Sequence, residues 1–552
     1  MRKKISSLIK KSIKELQKEG VFPEFEIPEI RVEHPEEKAH GDYSTNIAMA
    51  LSKRVGKNPM EIAKTLTTLL KKQTAVYNLR KKQFLERVEV AKPGFINFFL
   101  SKNFLQKQVK EILEKGEKFG NLKIGKNKKL QVEFISANPT GQLHTGNGRG
   151  AFWGDVLANV LEKSGFKVSR EYYIDDAKTN TQIKLLGQTA VGEGTTYLND
   201  YLRLKIKNQK SRIKNLIQKF KNKEEIYAEA GYLLAQEIQK DIKEFVEKKL
   251  KIKFDNWFQE SKLHQESKIK KTFDWLKKKD YIYQKEGAWW IKTSQFGDSQ
   301  DWVAIRETGE PTYFLCDIAY HRDKIDRGFK KIINIWGADH QGHVRKMKAA
   351  MKMLNFKGDL DLLISQIVRV KGLKISKRKG VIISLEELLK EVSLDVARFF
   401  YLTKSFDTQM EFDLNLAKEQ SEKNPVYYIQ YAHARICSIL RKATSNKQQA
   451  TSPKSLVSCR WSLLNHPSEL NLIKQLIRFP EIIEDTAKDY QLQRIPQYAL
   501  DLATSFHQFY RDCKVLTENS SLQKARLALI LATKQVIKNT LNLMGISAPE
   551  KM

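Results

Sequence analysis

The residues best suited to chemistry fall in two loops. The first, NPTGQLHTGNGRG (138–150), follows a β-rich run, QVEFIS, and opens a helix, AFWGDVLANVLEKSG. A helix N-terminus presents unpaired N–H groups and the positive end of the macrodipole, a combination that favours phosphate. His144 adds a ring donor for a phosphate oxygen, while Gly141, Gly146, Gly148 and Gly150 would allow close backbone approach and positive φ. Many βα turns carry glycine only to turn, so this loop alone leaves the structural reading ahead. The second loop, GLKISKRKG, places Lys374, Lys377, Arg378 and Lys379 within six residues. Such a run is usually a solvated surface. Paired with a His–Gly phosphate loop it suggests nucleotidyl transfer, in which charge on a triphosphate is neutralised and no covalent nucleophile is needed.

Those loops need a scaffold, and the neighbouring texture supplies one. The first loop lies between QVEFIS and a further strand, KVSREYYID, giving the strand–loop–helix–strand order of a βαβ unit and hence a parallel sheet. Strand signals return in GAWWIKTS, DWVAIRE, KKIINIWGADH and LDLLISQIVRV. Residues 1–105 read as a separate α+β unit, and 187–275 as a basic helical insertion in the sheet domain. From 389 to 552 the pattern is almost entirely helical, with few glycines. The expected architecture is multidomain α/β: a Rossmann-type parallel-sheet catalytic domain over 106–388 with its insertion, an N-terminal α+β domain, and a C-terminal all-α helical bundle.

Composition agrees with several domains. At about 100–200 residues per domain, 552 residues exceed one core, and 41% apolar content excludes wholesale disorder. No run of about 18 apolar residues suggests a membrane span. The lysine-studded N-terminus reads as an amphipathic helix and not a signal peptide, so a cytoplasmic location is expected. Cys316, Cys437, Cys459 and Cys513 form no CxxC pair, which argues against disulfides or structural zinc. Subtracting Asp+Glu 64 from Lys+Arg 98 leaves +34, an excess that fits a polyanionic partner, although a lysine-rich proteome gives the same number.

His144-Thr145-Gly146-Asn147 resembles the HxGH signature of class I aminoacyl-tRNA synthetases, and Lys374-Ile375-Ser376-Lys377-Arg378 their KMSKS signature. The segments VEFISANPTGQLHTGNGRG, REYYIDDA, TYFLCDIAYHRDKIDRGF, IWGADHQGH, NPVYYIQYAHARICSIL, EKAHGDYSTNIA and SAPEKM resemble the arginyl-tRNA synthetase family across essentially the whole chain. The resemblance implies activation of L-arginine by ATP with Mg2+ and transfer to arginine tRNA by a monomer without structural zinc. It implies a catalytic set of His144, Asn147, Lys374 and Lys377, with Gly146, Gly337, Asp339, His340, Ser376 and Arg378 around ATP. Arginine would be held by Glu133, Ser136, Asn138, Tyr313, Asp317 and Gln341, with Asp317 as the carboxylate fork that separates a guanidinium from an ammonium.

For tRNA the resemblance points to His40 and Tyr43 in the N-terminal domain and to Tyr431 in the helical domain. Tyr427, Tyr428 and His433 are further stacking candidates, and the lysines of 204–223 could line the acceptor stem. Two positions depart from the family pattern. Asn147 replaces the second signature histidine, and Asp175 stands where asparagine is frequent, adding negative charge beside a cationic site. The alternatives are a catalytically silent tRNA-binding paralogue, to which Asn147 leans, and a class I synthetase for another amino acid such as cysteine. A small-molecule nucleotidyltransferase would be shorter and lack the RNA-binding ends.

Overall fold

In a computed structural model the chain is described over residues 1–79, 84–371, 383–445 and 459–552. The opening helix α1 (Arg2–Lys18) buries Ile5, Leu8, Ile9, Ile13 and Leu16, a stripe at helical spacing. It belongs with α2 (Ile47–Val55), α3 (Pro59–Leu79) and an antiparallel sheet of β1 (Tyr43–Thr45), β2 (Leu85–Ala91) and β3 (Phe95–Leu100), in the order β1-β3-β2. The next helix, α4 (Lys102–Lys115), runs across the boundary expected at 105.

The catalytic half is built on β4 (Lys129–Glu133), α5 (Thr145–Lys163), β5 (Lys167–Ile174), and a crossover of α6 (Thr181–Val191), α7 (Asp200–Asn208), α8 (Lys210–Lys219) and α9 (Lys223–Glu244). That crossover returns as β6 (Asn256–Gln259), which pairs parallel with β5. The helical insertion expected over 187–275 is therefore a crossover that closes on a sheet strand before its expected end. The chain continues through α10 (Glu260–Gln265), α11 (Lys268–Lys278) and a small antiparallel sheet of β7 (Ile282–Lys285), β8 (Ala288–Ile291) and β9 (Trp302–Ile305). It then enters α12 (Tyr313–Asp326), β10 (Lys331–Gly337), α13 (His343–Met353) and β11 (Asp359–Ser365). The main sheet runs β11-β10-β4-β5-β6 with every pair parallel. After β4 the chain moves outward one way and later comes back to add β10 on the other side. The strand order therefore reverses between β4 and β10, opening a crevice at their C-terminal ends.

Beyond the sheet come β12 (Val368–Lys371), α14 (Leu385–Glu391), α15 (Leu394–Leu402), β13 (Met410–Asp413) and α16 (Leu414–Lys418). Strand β13 pairs parallel with β12, so the sheet domain extends past the boundary expected at 388. The bundle proper is α17 (Pro425–Ser445), α18 (Pro467–Asp489), α19 (Arg494–Asp512) and α20 (Ser520–Leu543).

Two buried charges join the parts. Glu481 on α18 accepts from the Met1 ammonium at 2.8 Å, His34 at 2.9 Å and Tyr43 at 3.2 Å, fastening the N-terminal domain to the bundle. Burial pushes its carboxyl up, but His34 and the Met1 ammonium hold it well below the usual range. Arg398 on α15, 1% exposed, donates to Asp155 of α5 at 2.7 Å, to Leu250 O at 2.8 Å and to Met544 O at 3.2 Å. It fixes the helix that carries the phosphate loop against both the crossover and the C-terminal segment. Because Arg398→Met leaves buried Asp155 with only the Arg170 guanidinium, 3.9 Å away, it should cost about 3 kcal/mol of stability. Thermal unfolding checks this; the double variant with Asp155→Leu should lose less than the single one, and an unchanged midpoint in the single variant would remove the tie.

Candidate active site

The loop after β4 leaves the sheet under strain, with Ile135 at φ 67° and Ser136 at φ 39°. Left-handed backbone at a β-branched residue is costly and marks a place where surroundings dictate conformation. Here they do: Ser136 Oγ accepts from Tyr173 N at 3.1 Å, and Tyr172 OH bridges the N–H and C=O of Ala137, each at 3.1 Å. Asn138 donates to Gln182 of α6 at 2.7 Å. Ser136 thus serves to shape the loop in this structure, and the Asn138 amide nitrogen is committed to Gln182.

His144 is the N-cap of α5, closed by a reciprocal capping box. Its Nδ1 accepts from Gly146 N at 3.1 Å, and its own N–H donates to Asn147 Oδ1 at 2.9 Å. Since Nδ1 holds a lone pair, the neutral ring carries its proton on Nε2, which is left as the free donor. Desolvation lowers the pKa of this imidazole, opposed by Asp339. Asn147 therefore has a defined task that an amide performs. Positive φ, expected for the loop glycines, is absent: Gly141, Gly146, Gly148 and Gly150 all lie outside the left-handed region. Space is short at two of them, where a Cβ on Gly146 would stand 2.8 Å from the His144 ring and one on Gly148 2.9 Å from Leu385, whereas Gly141 and Gly150 meet no such crowding.

Across the crevice β10 ends at Gly337, where a Cβ would lie 2.4 Å from Asp339 Oδ1. Asp339, His340 and Gln341 occupy the exposed turn that follows, with His340 Nε2 3.4 Å from Asp339. The interaction between His144 and Asp339 shows that the two loops face each other, as the reversal of strand order requires. Lys374, Ser376, Lys377 and Arg378 lie outside the described residues. The chain just after them is stitched to the phosphate loop: Thr145 N donates to Ile383 O at 3.0 Å and Leu385 N to Leu143 O at 2.8 Å, around a His144–Ser384 bridge.

Beside the crevice is a pocket rich in carboxylates. Tyr313 and Asp317 sit one turn apart on α12 and so share a face. Tyr313 donates to Asn180 at 2.9 Å and accepts from Thr181 N at 3.1 Å, and Asn180 also donates to Asp175. The Asp317 carboxylate accepts no hydrogen bond among the described residues. Burial pushes it up to about 7, with Glu133 adding to the effect and Lys346 opposing it. Glu260, at the start of α10, is raised well above the usual carboxylate range by burial, then by Asp175 and Asp317. A buried Glu260 beside half-buried Asp175 and Asp317 sets like charges together, an arrangement that favours a cation. Glu260 had escaped sequence reasoning, and Asp175 had no explanation there. The available signal was FDNWFQES, in which a short β-rich run delivers a glutamate to a helix start at the same sheet edge.

Beneath the pocket the charges are paired. Lys324 donates to Glu133 at 2.5 Å and Asn334 at 2.9 Å, Asn334 donates to His321 Nε2 at 2.8 Å, and His321 Nδ1–H donates to Asp317 O at 2.7 Å. Burial lowers His321 to about 3, with Lys324 beside it, so the imidazole is neutral. The structure gives Glu133 to Lys324, which makes it a positioning group under Asp317. Glu171, fully buried, accepts both Arg327 guanidinium nitrogens at 2.5 and 2.8 Å, Tyr320 at 2.6 Å, Gln131 at 2.5 Å and Asn256 at 2.7 Å.

The expected RNA contacts divide. Tyr43 is 0% exposed and occupied by Glu481, so it is an internal strut and not an RNA contact. His433 is likewise buried, on Pro549 O at 2.8 Å. His40 is half-exposed beside Glu37. Tyr431, 36% exposed, stacks with Tyr427 at 6.4 Å and His507 at 6.0 Å, with the Arg435 guanidinium 5.4 Å from its ring.

Family profiles match the chain in three consecutive parts: an arginyl tRNA synthetase N terminal domain over 3–100, the catalytic domain of class I (R) tRNA synthetases over 108–413, and a DALR anticodon binding domain over 429–552. The arginine–tRNA ligase of Carboxydothermus hydrogenoformans is 43% identical over 538 residues, covering 95% of this chain and 94% of that one. That of Bacillus subtilis is 40% identical over 570 residues, covering 99% of each. The arginyl-tRNA synthetase structure from Thermus thermophilus shares the fold, with a TM-score of 0.76 at 22% identity over 100% of both chains. With three family profiles following one another along the chain and relatives at 40–43% identity over nearly their whole length, the chain belongs to the arginyl-tRNA synthetase family.

Proposed function

We propose that the chain is an arginine–tRNA ligase, forming arginyl-adenylate from L-arginine and ATP and passing the arginyl group to the 3′ end of arginine tRNA. The observation that carries the amino-acid assignment is the cluster of buried Glu260 with half-buried Asp175 and Asp317, next to Tyr313. A guanidinium supplies planar donors and a permanent charge to such a cluster, and a neutral side chain supplies neither.

In the first step the arginine carboxylate attacks the ATP α-phosphorus in line; a C(O)O–P bond forms and the bond to the β-phosphate oxygen breaks, releasing pyrophosphate. Nε2–H of His144 donates to a phosphate oxygen at the positive end of the α5 dipole, and Lys374 and Lys377 neutralise the spreading charge. Mg2+ enters with ATP as substrate. Asn138 and Gln341 face the α-amino and carboxylate end, and Gly337, Asp339 and His340 the ribose. In the second step a ribose hydroxyl of the terminal adenosine attacks the activated carbonyl and AMP leaves. Asn147, engaged in the capping box, gives no support to a silent paralogue, and the acidic pocket opposes a synthetase for cysteine. The enzyme is proposed to act as a monomer, and in the cytoplasm, where such substrates meet.

Asp317 gives this reading a pH signature. Its folded pKa of about 7 exceeds its ordinary value of 3.8, so between those limits the folded state holds a proton that arginine binding must expel. Arginine affinity should fall below about pH 7, approaching about tenfold per unit, while tRNA affinity stays level; a flat arginine KM from pH 5 to 8 would contradict the assignment. Asp317→Asn should cost about 2–5 kcal/mol in arginine kcat/KM and abolish that profile. For tRNA, Tyr431→Ala should weaken binding by about 1–3 kcal/mol, whereas Tyr43→Phe should lower thermal stability and spare tRNA affinity. Filter binding and unfolding of both variants check the contrast.

A further inference from the structure

Three side chains of ligating type converge on the floor of the acidic pocket. Glu260 and His264 are one turn apart on α10 and share a face, and Cys316 on α12 meets them. A carboxylate oxygen, a ring nitrogen and the sulfur all lie within 4.8 Å of one another. Glu260 is 3% exposed, and both Glu260 Oε2 and His264 Nε2 are buried without a hydrogen-bond partner among the described residues. Leaving a buried polar atom unpaired costs about 1–3 kcal/mol, so two at one place point to a ligand that completes them. A guanidinium can donate to a carboxylate or to an imidazole lone pair, but it has no acceptor for a thiol S–H and binds sulfur only weakly.

One oxygen, one nitrogen and one sulfur donor make the set that suits a borderline-soft divalent cation. Zinc bonds of about 2.0–2.3 Å put tetrahedral ligands about 3.3–3.8 Å apart, a modest closing of side-chain rotamers from the observed spacing. Three protein ligands leave one position for water, as in open zinc sites. The i,i+4 pair and a cysteine from a distant helix escape a search for CxxC spacing, which is why sequence analysis expected no zinc.

We propose that Glu260, His264 and Cys316 form a binding site for Zn2+ whose occupation excludes arginine, making the enzyme subject to arginine-competitive inhibition by a divalent metal. Coordination replaces the Cys316 S–H bond by an S–Zn bond and releases the proton to solvent. The competition rests on the arginine pocket proposed above; the metal site does not.

Zinc is spectroscopically silent, so the test uses Co2+ on the full-length protein. One equivalent should produce a thiolate-to-cobalt charge-transfer band with tetrahedral d–d absorption, displaced by Zn2+. Cys316→Ser should abolish the charge-transfer band, and His264→Asn should weaken Co2+ binding at least tenfold; thermal unfolding confirms that each variant is folded. Absence of the band in the parent protein, or its survival in folded Cys316→Ser, overturns the site. In the parent protein, saturating arginine should suppress the band, and Zn2+ should raise the apparent arginine KM without lowering kcat. A band that depends on Cys316 and His264 yet ignores arginine would uphold the metal site and remove Glu260 from the arginine pocket.

Discussion

Glu171 lies in the middle of the parallel sheet with no contact to water, and its carboxylate accepts from Arg327, Tyr320, Gln131 and Asn256. Burial alone would raise its pKa, but the bidentate Arg327 and the neighbouring Lys324 hold it below the usual range. A buried ion is tolerated only when its partners and remaining lone pairs are met, and here β4, β5, β6 and α12 all contribute. The second chain of contacts, from Glu133 through Lys324 and Asn334 to His321, ends on the backbone of Asp317. Helix α12 cannot slide on the sheet without breaking both sets. The pocket above is consequently held open with its like charges facing one another, instead of relaxing by moving them apart.

The same logic, at larger scale, sets the domains. Glu481 and Arg398 are each buried and each joined to distant parts of the chain. Because Arg398 reaches α5 through Asp155, the phosphate loop, the crossover and the C-terminal segment share one charged contact. Tyr431 and its stacked neighbours stand on the bundle whose other helix, α18, carries Glu481. Recognition surfaces are thus built on elements tied back to the catalytic sheet by ions that cannot readily be withdrawn.

Much of this was legible before the structure. The loop of His144 and the turn at Gly337–Gln341 follow from local order, because βα connections put loops at the C-terminal edge of a parallel sheet. Local chemistry could not reveal which polar residues face inward. Tyr43 looked like an RNA contact, and its true partner, Glu481, is 438 positions away. Glu133 looked like a ligand, but Lys324 on a later helix engages it. The boundary at 388 failed because β12 and β13 are four-residue strands too short to show a period, and the same holds for β6 within the supposed insertion. Asp175 seemed misplaced in a cationic site; two charged regions adjoin here, one basic for phosphate and one acidic for the amino acid.

In the proposed reaction the acidic pocket reads a guanidinium and the crevice beside it activates the attached carboxylate. Pyrophosphate exchange into ATP, measured with each amino acid in turn and with or without tRNA, tests it most directly. Exchange is expected with arginine and with no other amino acid. Exchange driven by another amino acid, or no exchange with arginine when tRNA is bound, would contradict it.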